Sequence, residues 1–405
     1  MLVAGEASGD LLAAELVQVL RQELAEAPPI FTADTQPLYT SLEPRFFGAG
    51  GPRMAEAGVE LAFDLTEHSV IGLSDVIKSF FQFRRLFHQL FRLAVDREPE
   101  AIIFVDFSGF NRRLAHAVHE YVRSRRDWFH DWQPKLIQYV SPQVWASREG
   151  RAYQLARDYV LLLSIFPFEK GWYAKRVPDL RVEFVGNPIV DRCRTNSDLN
   201  RRPNPPTSDD SSTILLLPGS RAAELRRHLP VMLAALEKIR EQIPNLRARM
   251  VLPNQALLEQ AKTLPLPGSL EVQVGGLHEA LSEATVALAS TGTVTLECAC
   301  LGVPTVAIYK TSAITYHLAK QLVTVKYLAM PNLLANEELF PEFIQHAATH
   351  DNLARAALEL LRDGRRRAHV RARLTEIMAN LGPPGASRRA AQAIARLLAP
   401  ESIPA

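Results

Sequence analysis

Two segments in the second half of the chain share a pattern that constrains the fold: an apolar strand runs into a short Gly/Ser/Thr turn that opens a helix. They are Leu215 to Pro230, with the sequence LLLPGSRAAELRRHLP, and residues 290–309, with the sequence STGTVTLECACLGVPTVAIY. Strands that alternate with helices are typical of α/β folds with a parallel sheet. Each turn also leaves unpaired backbone N–H groups at a helix start, where an anion is stabilised.

Charged side chains beside the two turns indicate which anion would bind. Arg221 follows the first turn, and Glu297 lies on the helix opened by the second. A cation with free amides suits the phosphates of a nucleoside diphosphate, and a carboxylate suits ribose hydroxyls. Neither turn contains a Gly-Lys-Ser/Thr or GxGxxG fingerprint. We therefore expect a nucleotide carried by a sugar, bound by the turn residues Gly219, Ser220, Ser290, Thr291, Gly292 and Thr293.

Further strand patterns predict two domains. The first series is Leu2–Ala4, Ala101–Val105, Leu136–Val140, Tyr159–Leu163 and Val182–Val185, and the second is Thr213–Leu217, Ala248–Leu252, Leu270–Val274, Val286–Ser290 and Thr305–Tyr309. Between them, residues 195–212 contain almost nothing to bury and are rich in Pro, Asn, Asp and Ser, which indicates a linker. The pattern predicts Rossmann-like domains at 1–194 and 213–385 facing a central cleft, with a helix at 386–405 that is expected to pack back on the first domain.

Composition limits the class of protein. The chain has 405 residues, 47% of them hydrophobic, which is enough for two cores. A net charge of +2 from 46 basic and 44 acidic residues gives no overall field that would attract nucleic acid. Cys193, Cys298 and Cys300 form no CxxC, which predicts a reducing cytosol and ordinary packing, without a disulfide or a zinc site.

The N-terminal segment resembles no signal peptide, because Glu6 and Asp10 interrupt it, and the chain contains no run of about 18 to 20 apolar residues. We expect a soluble or peripheral protein. The first strand has only residues 1–4, fewer than the roughly five that are typical, so we expect a translation start that is set late.

Polar side chains follow the predicted strands of the first domain and are candidates for chemistry. The turn GEASGD projects Glu6, Ser8 and Asp10 next to Gly9, although Ser8 or Asp10 could simply cap the helix. The segment VDFSGFN places Asp106 and Asn111 at the next strand end, where Asp106 is a candidate general base or a turn former. SPQVWASR adds Trp145 and Arg148, suited to a sugar face and a phosphate, with burial as the alternative for Trp145.

The segment 76–95 combines aromatic and basic residues in one predicted helix. An aromatic face with interleaved cations matches a helix that lies in a membrane interface, and a helix buried under its neighbours is the alternative. The residues expected to contact lipid are Phe80, Phe81, Phe83, Phe87, Phe91, Arg84 and Arg85.

Nine ordered motifs resemble the lipid-A-disaccharide synthase family. They are GEASGD at 5, GGPRMAEAG at 50, VIGLSDV at 70, SPQVWASR at 141, FPFEKGWY at 166, FVGNPIVD at 184, LLPGSRAAE at 216, STGTVTLE at 290 and MPNLLANEELFPEFIQ at 330. The resemblance covers nearly the whole chain and adds Glu224 and Asn332 to the expected substrate contacts.

The resemblance implies a glycosyltransferase B fold and inverting transfer without a metal or another cofactor. The implied donor is UDP-2,3-diacylglucosamine, the acceptor is 2,3-diacylglucosamine 1-phosphate, and the products are the β-1,6-linked disaccharide 1-phosphate and UDP. The protein would be cytoplasmic and bound peripherally to anionic phospholipid on the inner face of the cytoplasmic membrane. A homodimer is left open.

Three positions depart from the family pattern. The family usually has Asp at the position of Gly109, Trp at that of Ser147 and His at that of Asn187. The acid missing at Gly109 is a favoured catalytic base, so Asp106 would substitute for it, or otherwise Asp10 or Glu6. Two other hypotheses follow: a weakly active or inactive homologue that binds lipid or UDP-sugar, and a transferase or epimerase acting on another UDP-amino sugar.

Overall fold

The computed structural model describes residues 1–25, 44–66, 76–127, 129–195 and 212–399. They form two compact units. Unit 1 contains residues 1–188 and the segment from Gly382 onward, and unit 2 contains Ile189–Leu381. The first domain therefore ends at Pro188 rather than at residue 194, because the helix that follows packs within unit 2. The predicted linker, apart from its two ends, lies outside the described residues.

Unit 1 is built on a seven-stranded parallel sheet with the order β3-β2-β1-β4-β5-β6-β7. Alternate residues of β4 enter different hydrophobic clusters: Ile102 and Phe104 belong to one, and Ile103 and Val105 to the other. The sheet is therefore covered on both faces, as a doubly wound domain requires. The strands are β1 (Leu2–Ala4), β2 (Phe47–Gly50), β3 (Glu60–Asp64), β4 (Ala101–Val105), β5 (Lys135–Tyr139), β6 (Leu161–Ser164) and β7 (Val182–Phe184).

The helices of unit 1 follow its strands, except for the last, which comes from the end of the chain. They are α1 (Ala7–Ala25), α2 (Pro52–Glu56), α3 (Val76–Arg97), α4 (Ser108–Arg125), α5 (Arg151–Asp158), α6 (Pro167–Ala174) and α16 (Ala386–Leu398). Helix α16 packs against α1, where Ile394 joins Leu16 and Leu20 in one buried cluster. Arg388 Nε also donates to Glu23 Oε1 at 3.1 Å.

Unit 2 repeats this architecture with a six-stranded parallel sheet of order β10-β9-β8-β11-β12-β13. Its strands are β8 (Thr213–Leu217), β9 (Arg247–Leu252), β10 (Leu270–Val274), β11 (Val286–Ser290), β12 (Thr305–Tyr309) and β13 (Glu342–Ile344). Its helices are α7 (Ile189–Thr195), α8 (Ala222–Gln242), α9 (Gln255–Ala261), α10 (Leu277–Glu283), α11 (Thr293–Cys300), α12 (Ala313–Leu322), α13 (Met330–Ala335), α14 (His350–Arg362) and α15 (Gly364–Asn380). The prediction of two Rossmann-like α/β domains is confirmed.

The cysteines differ from the prediction. Cys193 of α7 and Cys300 of α11 form a disulfide, with their Cα atoms 6.2 Å apart, whereas Cys298 is free and buried. The expectation that all three cysteines pack without a disulfide was therefore wrong. The two partners are separated by 107 residues, and only the packing of α7 on α11 brings them together.

Candidate functional site

The predicted turn residues of unit 1 lie at the carboxyl ends of two neighbouring strands. β1 pairs with β4 in parallel, so the GEASGD turn and the VDFSGFN turn meet at one edge of the sheet. The glycines permit this approach. A Cβ atom on Gly5 would lie 2.2 Å from the ring of Phe107, and one on Gly9 would lie 3.4 Å from the carbonyl oxygen of Val105. Gly9 is thus a packing residue, while Ser8 beside it is exposed.

Asp106 sits at the centre of this edge in a constrained backbone. Its φ is +50°, and that of Phe107 is +41°, so two consecutive non-glycine residues are left-handed. Such a conformation costs of order 1 kcal/mol or more per residue and persists only when its surroundings hold it. The amide of Asp106 donates to Tyr139 O at 2.7 Å. Its carboxylate is half-buried, and Oδ2 accepts from Ser8 Oγ at 3.4 Å.

The side chain of Asn111 hydrogen-bonds this backbone and does not face solvent. Its side chain is fully buried. Nδ2 donates to the carbonyl oxygens of Asp106 at 2.9 Å, Val105 at 3.2 Å and Val3 at 3.4 Å. The prediction that Asn111 contacts substrate is therefore replaced by a structural role, because its amide ties the ends of β1 and β4 together.

The carboxylate of Asp10 is hydrogen-bonded to backbone amides at the start of α2. Its Oδ1 accepts from the amides of Gly51 at 2.7 Å and Met54 at 3.1 Å, and its Oδ2 accepts from that of Arg53 at 3.0 Å. The side chain is 2% exposed. Asp10 therefore caps α2 from 41 residues away and links GEASGD to GGPRM. A carboxylate whose oxygens bind three amides is poorly placed to accept a proton from a substrate, which leaves Asp106 and the half-buried Glu6 as candidate bases.

Trp145 is also buried, which corrects its expected place against a sugar. Its indole Nε1 donates to Glu169 Oε1 at 2.9 Å, and its ring packs edge-on against Phe168 with centroids 4.9 Å apart. Glu169 is fully buried. Burial raises the pKa of Glu169 to about 8, although hydrogen bonds from Trp145 and from the amide of Phe166 oppose the shift. These contacts join SPQVWASR to FPFEKGWY inside unit 1.

The phenylalanines of α3 divide into two groups. Phe83, Phe87 and Phe91 are half-buried and pack towards α4: Phe87 meets Phe110 at 5.9 Å and Phe91 meets Tyr121 at 5.5 Å between ring centroids. Phe87 and Phe91 pack against the buried core cluster, and the ring of Phe83 lies 6.4 Å from that of Phe110. Lipid contact by the remaining surface of these rings stays a prediction. Arg84 and Arg85 are exposed. The side chains of Phe80 and Phe81 lie outside the described residues.

In unit 2, the loop after β8 is shaped by Glu224. Gly219 has a φ of +125°, and a Cβ atom there would lie 2.4 Å from Glu224 Oε2. The amide of Ser220 donates to the same oxygen at 3.1 Å, and Arg221 Nη1 lies 3.7 Å from Oε1. Glu224 thus supports the loop, while the side chain of Arg221 is 62% exposed at the start of α8.

His228 was not singled out by the sequence patterns, yet it holds this loop. The ring is fully buried on α8. Its Nδ1 lies 2.8 Å from Pro218 O, and the amide of Lys310 donates to Nε2 at 2.9 Å. A carbonyl only accepts and an amide only donates, so the ring is neutral with its proton on Nδ1. Burial lowers the pKa of His228. The histidine bridges the loops after β8 and β12.

The turn after β11 opens α11 with a glycine of positive φ. Ser290 is buried, Thr291 is half-buried, and Gly292 and Thr293 are exposed. Gly292 has a φ of +134° and open space where a Cβ atom would lie. Glu297, one turn into α11, is half-buried. Burial raises its pKa, and the charge of Arg192 on α7 opposes that shift.

Asn332 proves to be structural. It is fully buried, and its Oδ1 accepts from the amides of Leu339 at 2.9 Å and Phe340 at 2.8 Å. Its Nδ2 donates to Glu342 Oε1 at 2.7 Å, and Glu342 accepts from the amide of Ala329 at 2.9 Å. The expected substrate contact is therefore replaced by a role in folding the segment 329–342.

Two further findings concern metals and membranes. Across the ranges that the structure describes, no three His, Cys, Asp or Glu side chains come together to hold a metal ion. Nor does any helix within those ranges combine the length and apolarity needed to cross a bilayer.

Comparison with known proteins identifies the fold. The calicheamicin glycosyltransferase CalG4 superposes with a TM-score of 0.57 over 98% of both chains at 16% sequence identity, which speaks to the fold alone. Two parallel α/β units of this kind form the glycosyltransferase B fold. Together with a family profile that matches residues 1–397, this fold makes the protein a glycosyltransferase.

Sequence comparison then gives the family. The chain belongs to the lipid-A-disaccharide synthetase family, whose profile matches residues 1–397. The lipid-A-disaccharide synthase of Trichlorobacter lovleyi is 34% identical over 397 residues, which cover 96% of this chain and 95% of the relative. That of Anaeromyxobacter dehalogenans is 35% identical over 399 residues, covering 97% and 96%. The resemblance carried by the sequence motifs is confirmed.

Proposed function

We propose that the protein transfers 2,3-diacylglucosamine from its UDP derivative to the 6-hydroxyl of 2,3-diacylglucosamine 1-phosphate, with inversion at the anomeric carbon. The products are the β-1,6-linked disaccharide 1-phosphate and UDP. The observation that carries this proposal is the family match across residues 1–397, which spans both units and every turn described above.

Unit 2 would bind the UDP moiety. The exposed Arg221 at the start of α8 would donate to the diphosphate, as would the backbone amides at the start of α11, where Gly292 and Thr293 are exposed. As the glycosidic C–O bond breaks, negative charge grows on the leaving UDP, and preorganised donors stabilise it without a metal. Glu297 would accept from the ribose hydroxyls, and the open space at Gly292 would admit the nucleotide close to the backbone.

Unit 1 would bind the acceptor, with Asp106 as the base. In one step the acceptor oxygen attacks the anomeric carbon, its proton passes to the Asp106 carboxylate, and UDP leaves from the opposite face. The left-handed backbone at 106 and 107, held by Asn111 and Tyr139, fixes where this carboxylate projects. Gly109, where the family usually carries an acid, has no atom within 4 Å of a Cβ position, so an aspartate would fit there.

Substrates with acyl chains would be taken from the inner face of the cytoplasmic membrane. We assign that contact to the start of α3, where Phe80 and Phe81 precede the exposed Arg84 and Arg85. Cations beside aromatic residues favour an anionic lipid surface.

The test is transfer from labelled UDP-2,3-diacylglucosamine to unlabelled acceptor by the purified protein, with anomeric configuration of the product read by NMR. A β-1,6-linked product supports the proposal. Binding of UDP and lipid without any product would support the inactive homologue, and turnover only with other UDP-amino sugars would support the third hypothesis. Either result would overturn the assignment.

A further inference from the structure

Four arginines gather at the carboxyl edge of the unit 1 sheet. Arg112 and Arg113 lie near the start of α4, directly after Asn111, while Arg148 precedes α5 and Arg151 is its first residue. The guanidinium group of Arg112 bonds the side chain of Gln154 on α5, so the two helices hold their arginines side by side. We call these four residues the arginine cluster.

The arginine cluster is not neutralised by the protein around it. Among the described carboxylates, none lies within ion-pair distance of the four guanidinium groups. Glu149, next to Arg148 in the chain, pairs instead with Arg176 at 3.0 Å. Burial, followed by the charges of Arg148, Arg112 and Arg113, lowers the pKa of Arg151. The cluster therefore concentrates positive charge that an anion from outside would offset.

Its position and chemistry select one kind of anion. α4 follows β4 and the loop of Arg148 follows β5, and these strands are neighbours in the sheet, so the cluster shares its edge with Asp106 and Ser8. Guanidinium forks match the oxygen geometry of phosphate in a bidentate manner. Arg113 and Arg148 are exposed, whereas Arg112 and Arg151 are half-buried. The site thus offers two accessible guanidinium groups beside two half-buried ones.

We propose that the arginine cluster binds a phosphomonoester, and that this group is the phosphate of the acceptor sugar. The inference rests on the proposed function and extends it, because it makes the cluster the feature by which the protein prefers a phosphorylated acceptor to an unphosphorylated one. A phospholipid headgroup carries similar chemistry. The shared edge with Asp106 favours the acceptor, whose hydroxyl must reach the same carboxylate.

The test compares two charge-matched double variants. Arg113→Gln/Arg148→Gln removes the two exposed arginines of the cluster. Arg123→Gln/Arg126→Gln removes two exposed arginines at the other end of α4, about 15 to 20 Å further along the helix. Circular dichroism establishes that both variants fold. The ratio of kcat/KM for acceptor with and without its phosphate is then measured for the parent and both variants.

We expect the cluster variant to lower that ratio by about 10- to 100-fold, as loss of charge-assisted bonds to phosphate predicts, and the control to keep it. Equal ratios in all three proteins would overturn the proposal. Calorimetric titration with glucosamine 1-phosphate and with glucosamine measures the same preference as a ratio of affinities and does not require turnover. If the parent transfers no sugar, the proposed function fails, yet a cluster-dependent preference for the phosphorylated sugar still supports the site.

Vesicles of neutral lipid, with and without anionic phospholipid, separate the two sources of phosphate. The cluster variant is expected to bind both kinds of vesicle as the control does. If it loses binding only to anionic vesicles and keeps its preference for glucosamine 1-phosphate, the cluster recognises headgroups, and the acceptor assignment is wrong.

Discussion

At the scale of single residues, two aspartates in neighbouring turns of unit 1 illustrate how partners decide a role. Asp106 projects from a left-handed backbone with its carboxylate half-buried beside Ser8. In Asp10, by contrast, both carboxylate oxygens accept hydrogen bonds from backbone amides at the start of α2. A group that already holds three amides stabilises the fold. A carboxylate on a rigid strand end can take a proton, which is the role proposed for Asp106.

Replacing Asp106 tests the base directly. Asp106→Asn should lower turnover about 100-fold or more with little change in donor affinity, because a base acts only in the transition state. Gly109→Asp in that background should restore part of the activity, since the position has room for a side chain. Steady-state kinetics decides between outcomes: full activity in Asp106→Asn would shift the role to Glu6.

Nucleotide binding by unit 2 is tested at Arg221 and Glu297. Arg221→Ala and Glu297→Gln should each weaken UDP binding by about 1.5 to 3 kcal/mol, the range for a charge-assisted hydrogen bond. Isothermal titration calorimetry with UDP measures this. Arg227→Ala is a suitable control because Arg227 lies on the same helix and bonds Ala223 O. Unchanged affinity in both variants would remove the nucleotide from these turns.

At the scale of elements, sequence patterns predicted the central strands and missed the weak ones. Ala101–Val105 and Val286–Ser290 match their predicted ranges because their continuous apolar runs are buried on both faces. The pattern misses β2, whose Gly48 has a φ of +153° and lies where a Cβ atom would be 1.8 Å from Leu2 O. It also misses β3, an edge strand without a fully buried residue.

The predictions of site residues also depended on whether local sequence patterns contained the necessary information. Strand ends could be located from the sequence, so the turns of Asp106 and Arg221 were found. Burial of a polar side chain depends on partners far along the chain, such as Gly51 for Asp10 and Phe340 for Asn332, and local patterns do not contain it. For that reason Asn111, Trp145 and Asn332 were assigned to substrate.

Helix α2 should depend on its remote cap. Asp10→Ala removes the acceptor of three amides at the start of a five-residue helix. We expect the free energy of unfolding of unit 1 to fall by about 1 to 3 kcal/mol. Urea titration followed by tryptophan fluorescence measures the change. An unchanged midpoint together with lost turnover would instead return Asp10 to the catalytic candidates.

The phenylalanines of α3 should separate lipid contact from packing. Phe80→Ser/Phe81→Ser should reduce binding to anionic vesicles, because it removes two rings whose burial in lipid would each stabilise the bound state by up to a few kcal/mol. Phe87→Ser should instead destabilise the fold, because this ring packs on the core beside Phe110. Vesicle sedimentation and thermal unfolding are measured for both variants. If the double variant unfolds and aggregates, its rings belong to the core as well.

At the scale of the whole molecule, each unit contains a buried group with a shifted pKa. The two shifts make the stability of the two units depend on pH in opposite directions. Glu169 in unit 1 has its pKa raised to about 8 by burial. The folded state therefore holds a proton that the unfolded chain releases above about pH 4.5, and stability is lost as pH rises towards 8. His228 in unit 2 has its pKa lowered. The unfolded chain takes up that proton first, so stability is lost as pH falls below about 6.5.

The four tryptophans all lie in unit 1, so their fluorescence reports the unfolding of that unit alone. Between pH 6.5 and 8 we expect the unfolding free energy of unit 1 to fall by up to about 1.4 kcal/mol per pH unit. Glu169→Gln should flatten this slope, because an amide does not titrate. Glu149→Gln is the matched control, since Glu149 is an acid of unit 1 paired with Arg176 at the surface. We expect Glu149→Gln to keep the slope of the parent. A slope that survives in Glu169→Gln would show that the buried carboxyl group is not its source.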